Sequence, residues 1–179
     1  MDAVVLREGQ VVLRFEVLGY QFPEIEDREG DSDWLLVRLH LRDGEQLWER
    51  TDTALLTFEV QWLTEWLDEV AGHAAVFGSW RRNRLTTRIF FTEPCLGLEV
   101  LSGHPSGAPM TLRCYLAAEF LPPFKELCPH AAIGEEPDEV WLDFGVDEEQ
   151  LRVIAAQWRA QLDRFPVRVG LRSLPSSRG

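Results

Sequence analysis

This 179-residue sequence predicts an α+β fold: mainly antiparallel β-sheet or a β-sandwich, with two principal helices near residues 57–71 and 147–165. Three observations carry that expectation. Apolar and polar residues alternate at period two in 11–18 and 34–41. Two longer stretches space their apolar residues at helical period. Between them, short extended runs follow one another across turn residues, as in antiparallel meanders, with no alternation of strand and helix.

In VVLRFEVL (11–18), Val11, Leu13, Phe15 and Val17 alternate with Val12, Arg14 and Glu16, so one face of this strand is to be buried. WLLVRLHL (34–41) repeats the pattern less strictly, which makes the segment between the two strands a surface connection. Asp43-Gly44 suits a tight hairpin. The period then changes: Val60, Leu63, Leu67 and Val70 recur at helical spacing, widened by Phe58, Trp62 and Trp66, with Thr57 as the expected cap and Gly72 at the end. AAVFG (74–78), RLTTRIFFTEP, LGLEVLSG and MTLRCYLAAEF read as strands. GHPSGAP (103–109) is a turn, and the proline-rich stretch 121–139 a long surface loop. DEVWLDFGV (138–146) reads as the last strand. The final helix starts at Asp147, which can cap with Gln150; it buries Leu151, Ile154, Ala155, Trp158, Leu162 and Phe165, and Pro166 stops it. Residues 1–171 are expected to form a single domain and 172–179 a fraying tail.

Hydrophobic residues at 45% and seven tryptophans suffice for one principal core. Asp2 and Glu8 stand where a secretory leader would be basic, and no stretch approaches the roughly 20 apolar residues that cross a bilayer, so a cytoplasmic location is expected. Cys95, Cys114 and Cys128, odd in number and widely spaced, fit packing residues in a reducing compartment.

Charge is polarised along the chain. Of a formal −12, residues 24–33 hold six acids against Arg28 alone, and residues 135–149 hold eight acids and no base, which leaves the remainder near +1. Such a surface repels nucleic-acid phosphates and anionic membranes and attracts basic partners. One acidic patch is equally explained by solubility, and Glu148 and Glu149, with Arg159 and Arg164 at the far end, already complement the dipole of the final helix.

Candidate chemistry is sparse. Taken as a calcium loop from Asp27, DREGDSD places Gly30 at position 4 and Arg38 at position 12, against the Gly at 6 and Glu at 12 that the EF-hand requires. His40, His73, His104 and His130 do not join the cysteines at zinc-ligand spacing. GHPSG puts Ser106 one place late for a nucleophile elbow, and neither a dinucleotide fingerprint nor a Walker loop occurs. WRRNR (80–84) with Arg88 is a small basic patch, better read as a turn or an internal partner for the acids than as an RNA site. No catalytic residue, metal ligand or cofactor is expected.

Several stretches, in their order and spacing, resemble the WapI-like family of bacterial immunity proteins: LGYQFP (18–23), DWL (33–35), Trp48, LLTFE (55–59) followed by Trp66-Leu67, and FTEPCL (91–96). The resemblance covers roughly residues 13–100. It implies a small cytoplasmic protein that protects its cell from the toxic C-terminal domain of a secreted polymorphic toxin, in the type example one that cleaves transfer RNA. An acidic inhibitor of that kind would occupy the toxin's basic surface as a phosphate mimic. The expected partner-binding residues are then Tyr20, Glu24, Glu26, Asp27, Glu29, Asp31 and Asp33, together with Glu135, Glu136, Asp138 and Glu139; Phe22 is a further aromatic candidate that suits core packing as well. The alternative is a non-catalytic small-ligand or metal-binding module using the acidic segment and the 120–139 loop.

Overall fold

Alternation along the first strands decides the first layer. In a computed structural model, which describes residues 3–79, 85–126 and 138–169, β1 (Val4–Glu8), β2 (Val11–Tyr20), β3 (Trp34–Asp43) and β4 (Gln46–Leu56) form a four-stranded antiparallel meander in sequence order. Leu13, Phe15 and Val17 of β2 and Leu35, Val37, Leu39 and Leu41 of β3 turn inward and are buried. Gly44, at φ 60°, closes the β3–β4 hairpin, where an L side chain would be strained. A second antiparallel meander is built from β5 (Thr86–Phe90), β6 (Leu96–Ser102), β7 (Met110–Ala117) and β8 (Glu139–Val146).

Among the described residues three helices complete the α+β fold: α1 (Thr57–Gly72), α2 (Ala74–Ser79) and α3 (Glu148–Arg164). Burial of Val60, Leu63, Leu67 and Val70 follows the helical period of α1, and α1 packs against α3. Trp158 of α3 lies fully inside against Phe15 of β2, their ring centroids 5.6 Å apart. One hydrophobic cluster runs through both sheets and all three helices. The edges of the sheets approach each other where Gly145 N–H of β8 donates to Glu8 Oε2 of β1 at 2.9 Å. At the other end of α3, Gln161 Oε1 accepts from Val17 N–H at 2.5 Å, beside the bulge between Val17 and Gly19. No helix among the described residues is long and apolar enough to cross a membrane.

Three local expectations are corrected, and one strand is new. Residues 74–78 are helical: AAVFG has apolar residues but no period, and α2 follows α1 almost without a break, with Val76 and Phe77 N–H donating to the His73 carbonyl. Thr57 is not the cap of α1. Glu59 does that work, accepting Leu56 N–H at 2.9 Å, while its other oxygen accepts Thr92 N–H and O–H at 2.6 and 2.7 Å and ties α1 to the β5–β6 connection. The run MTLRCYLAAEF leaves the sheet at Ala117 for a 3-10 turn. The N-terminal strand β1 was not anticipated. Asp147 and Gln150 do form the reciprocal cap of α3, at 2.8 and 2.9 Å. The WRRNR patch, most of the 121–139 loop, Cys128, His130 and the tail 172–179 lie outside the described residues.

Candidate functional site

The acidic segment is the connection between β2 and β3, so its two ends are fixed by a strand pair and its middle projects from one end of the first sheet. Gln21 N–H donates to the Trp34 carbonyl at 2.8 Å and continues the pairing past Tyr20. Gly30, at φ 82°, reverses the chain into a 3-10 turn at Asp31–Asp33, closed by Asp33 N–H to the Gly30 carbonyl at 3.0 Å. Ser32 is buried: its N–H donates to the Arg28 carbonyl at 3.0 Å, and its hydroxyl accepts Arg28 N–H at 2.8 Å. These bonds give residues 28–33 a defined shape.

The other half of the segment is held from outside, by the chain that leaves α3. Arg168 stacks on the Tyr20 ring, its guanidinium carbon 3.5 Å from the centroid. From there it donates to the carbonyls of Phe22, Pro23 and Ile25 at 3.3, 3.2 and 2.7 Å. The planar five-donor fork suits that task, since it can lie flat on the ring while two separate nitrogens reach different carbonyls, where an ammonium offers its three donors from one point. Tyr20 O–H donates to the Pro166 carbonyl at 2.5 Å, and Phe165 meets the Tyr20 ring edge-on at 5.8 Å. Asp33 completes the clasp from within: its carboxylate accepts Thr57 O–H at 2.5 Å, Arg168 N–H at 2.8 Å and Val169 N–H at 3.1 Å.

The sequence-predicted residues therefore separate. Glu24, Glu26, Asp27 and Glu29 are exposed and make no ion pair with any described residue. Asp31 is half-buried and meets Arg28 at 3.3 Å, an exposed pair of little energetic weight. Asp33 is corrected: it is completely buried and joins three elements of the fold. Tyr20 is engaged internally through its ring and hydroxyl, and burial pushes its phenol above the ordinary value against the opposing pull of Arg168. Of the second acidic run, Glu139 is also corrected, since it is 1% exposed; Asp138 is exposed, and Glu135 and Glu136 lie outside the described residues.

Arg168 was missed by sequence reasoning. Its only signal was that it lies just after Pro166, between the expected end of the final helix and the expected tail at 172–179. Elsewhere, His104 and Ser106 meet at 2.6 Å (Nδ1 to Oγ) beside an open polar cavity of about 400 Å³ lined by Arg113 and Asp143. The same Nδ1 also accepts Ser106 N–H at 3.1 Å, the geometry of a local turn. Among the described residues no three His, Cys, Asp or Glu side chains converge as a metal site.

The arrangement can present carboxylates on a pre-shaped backbone. An isolated acidic loop would have to be ordered by its partner at an entropic cost, and the clasp removes part of that cost in advance. Comparison with known proteins gives one match. The family model described as the immunity protein WapI-like family covers residues 5–166, which include both sheets, all three helices and the acidic segment. No curated protein and no solved structure matches the chain. With nearly its whole length inside that match, the chain belongs to the WapI-like family of immunity proteins.

Proposed function

We propose that this protein binds and neutralises a cognate toxin domain by laying the acidic segment against a basic surface of that toxin, without catalysis or cofactor. The observation that carries the proposal is the division of labour around Arg168. Arg168 bonds backbone carbonyls of the segment and leaves Glu24, Glu26, Asp27 and Glu29 exposed and without an ion pair among the described residues. Family membership supports the class of partner, a protein toxin. If that toxin acts on nucleic acid, it holds phosphates with Lys and Arg, and four carboxylates on a fixed loop can take the place of phosphates. Opposite charge also steers encounter, which favours fast capture in the cytoplasm, where such a toxin would act.

Coexpression with the toxin domain encoded beside this gene tests the reading. Wild type should rescue growth. Replacing Glu24, Glu26, Asp27 and Glu29 together by Ala should abolish rescue and flatten the salt dependence of the association rate. Full rescue by the quadruple variant, with unchanged salt dependence, refutes the acidic segment as the interface.

A further inference from the structure

The outer face of the first sheet has a charge opposite to that of the chain as a whole. Strand register sets its side chains in rows: Arg7, Val12, Arg42 and Leu47 form one row, and Val5, Arg14, His40 and Glu49 the next. Glu16, Arg38 and Thr51 form a third row. Arg38 lies between Glu16 and Glu49 at 3.5 and 3.8 Å, but Arg7, Arg14 and Arg42 make no ion pair with any described residue. Four arginines and one histidine against two glutamates thus share an area on the order of 13 by 15 Å, from the spacing of residues along and between strands. The opposite face of these strands is core, so this one meets solvent or a partner.

The acidic segment of the same chain cannot compensate it. Arg42 is eight residues along β3 from Trp34, where the segment ends, and at about 3.3 Å per residue that separates them by roughly 26 Å, some three Debye lengths at physiological salt. Among the described residues, carboxylates without an ion pair thus lie at one end of the sheet and guanidinium groups without one lie towards the other.

We propose that this sheet face is a docking surface for the acidic segment of a second copy of the chain, giving a head-to-tail, salt-sensitive self-association. The two surfaces differ, so the contact is heterologous and can extend beyond a dimer. Nucleic acid is the less suitable occupant. The face offers Val5, Val12, Leu36 and Leu47 where a base-stacking surface would have aromatic rings. Because the docked segment is the one assigned above to the toxin, toxin would compete with self-association, and the uncommitted protein would be held in reserve. That consequence rests on the proposed function; the association itself does not.

Sedimentation velocity without any toxin tests it. At about 25 mM salt the average mass should rise with protein concentration, and at about 300 mM it should fall to the monomer, with association weakened at least about tenfold. Arg7→Glu/Arg42→Glu should be monomeric alone, and so should Glu24→Lys/Asp27→Lys. An equimolar mixture of the two should associate again, because each now offers the charge the other lacks. All four positions are exposed, and circular dichroism checks that both variants fold; Arg7→Gln/Arg42→Gln serves in place of a reversal that fails to. A wild-type protein that stays monomeric at low salt overturns the proposal. So does association that survives either variant, a mixture that stays monomeric, or a face that binds duplex RNA in preference to a second copy.

Discussion

The two acidic stretches have similar composition and opposite fates. In 135–149 the fold uses four of the six described carboxylates: Asp143 takes both nitrogens of a fork from Arg113 at 2.7 Å, Asp147 caps α3, Glu148 meets Arg152 at 2.9 Å, and Glu139 is inside, while Asp138 and Glu149 stay exposed. In 24–33 Asp33 is consumed and Asp31 meets Arg28, and the four acids from Glu24 to Glu29 are left outward over a backbone held by Arg168. Density of charge in the sequence therefore does not mark a surface. What decides is whether a donor lies across from each carboxylate, be it a guanidinium, a helix start, a hydroxyl or the backbone of a distant segment.

Substitutions can break this contrast at graded strength. The largest effect belongs to Asp33→Ala, which strands the Thr57 hydroxyl and two backbone N–H groups; a loss of about 3 kcal/mol should appear as a fall in Tm of about 6–12 °C. A fall under 2 °C would place Asp33 with the displayed acids after all. Arg168→Ala should cost less stability but speed amide exchange across residues 21–26 by about tenfold. Arg168→Lys should fall between the two, since it keeps the charge and loses the fork. Unchanged exchange would show that β2 and β3 alone shape the segment.

Glu99 sharpens the contrast by pH. Burial alone would raise its carboxyl, but hydrogen bonds from Thr86, Tyr115 and Arg88 together outweigh burial and hold it below the ordinary range. A depressed carboxyl contributes stability that is present above the unfolded value, near pH 4.5, and is lost as pH falls through the lower folded value. Melting at pH 5 and pH 3 should therefore show a steeper acid loss in wild type than in Glu99→Gln, and equal slopes would remove the assignment. The smallest effect should come from Glu24, Glu26, Asp27 and Glu29 changed singly to Ala, each leaving Tm within about 2 °C of wild type.

Local pattern was enough to find what local pattern determines. Period two exposed β2 and β3, period 3.6 exposed α1 and α3, and the spacing of Asp147 and Gln150 foretold a cap that the structure forms. AAVFG misled because a helix of six residues has no second turn in which to show a period. The site divides in the same way. Glu24 and Asp33 look alike in composition, and what separates them is a contact with residues 135 and 136 positions further on, which no spacing rule reaches. Glu59 was hidden for the same reason: beside a threonine that looks like a cap, nothing in the sequence says that Thr92 comes to meet it.

The clasp also bears on where this protein ends. Arg168 and Val169 lie just beyond the span shared with the family, which closes at residue 166. A polypeptide trimmed to that span would keep the strands and helices of the described residues, save Val4 of β1, and give an ordinary far-ultraviolet spectrum. Yet it would leave the Asp33 carboxylate short of two donors and the Tyr20 ring without its cation. If the acidic segment is the interface proposed above, such a shortened form would look folded while gripping its target poorly.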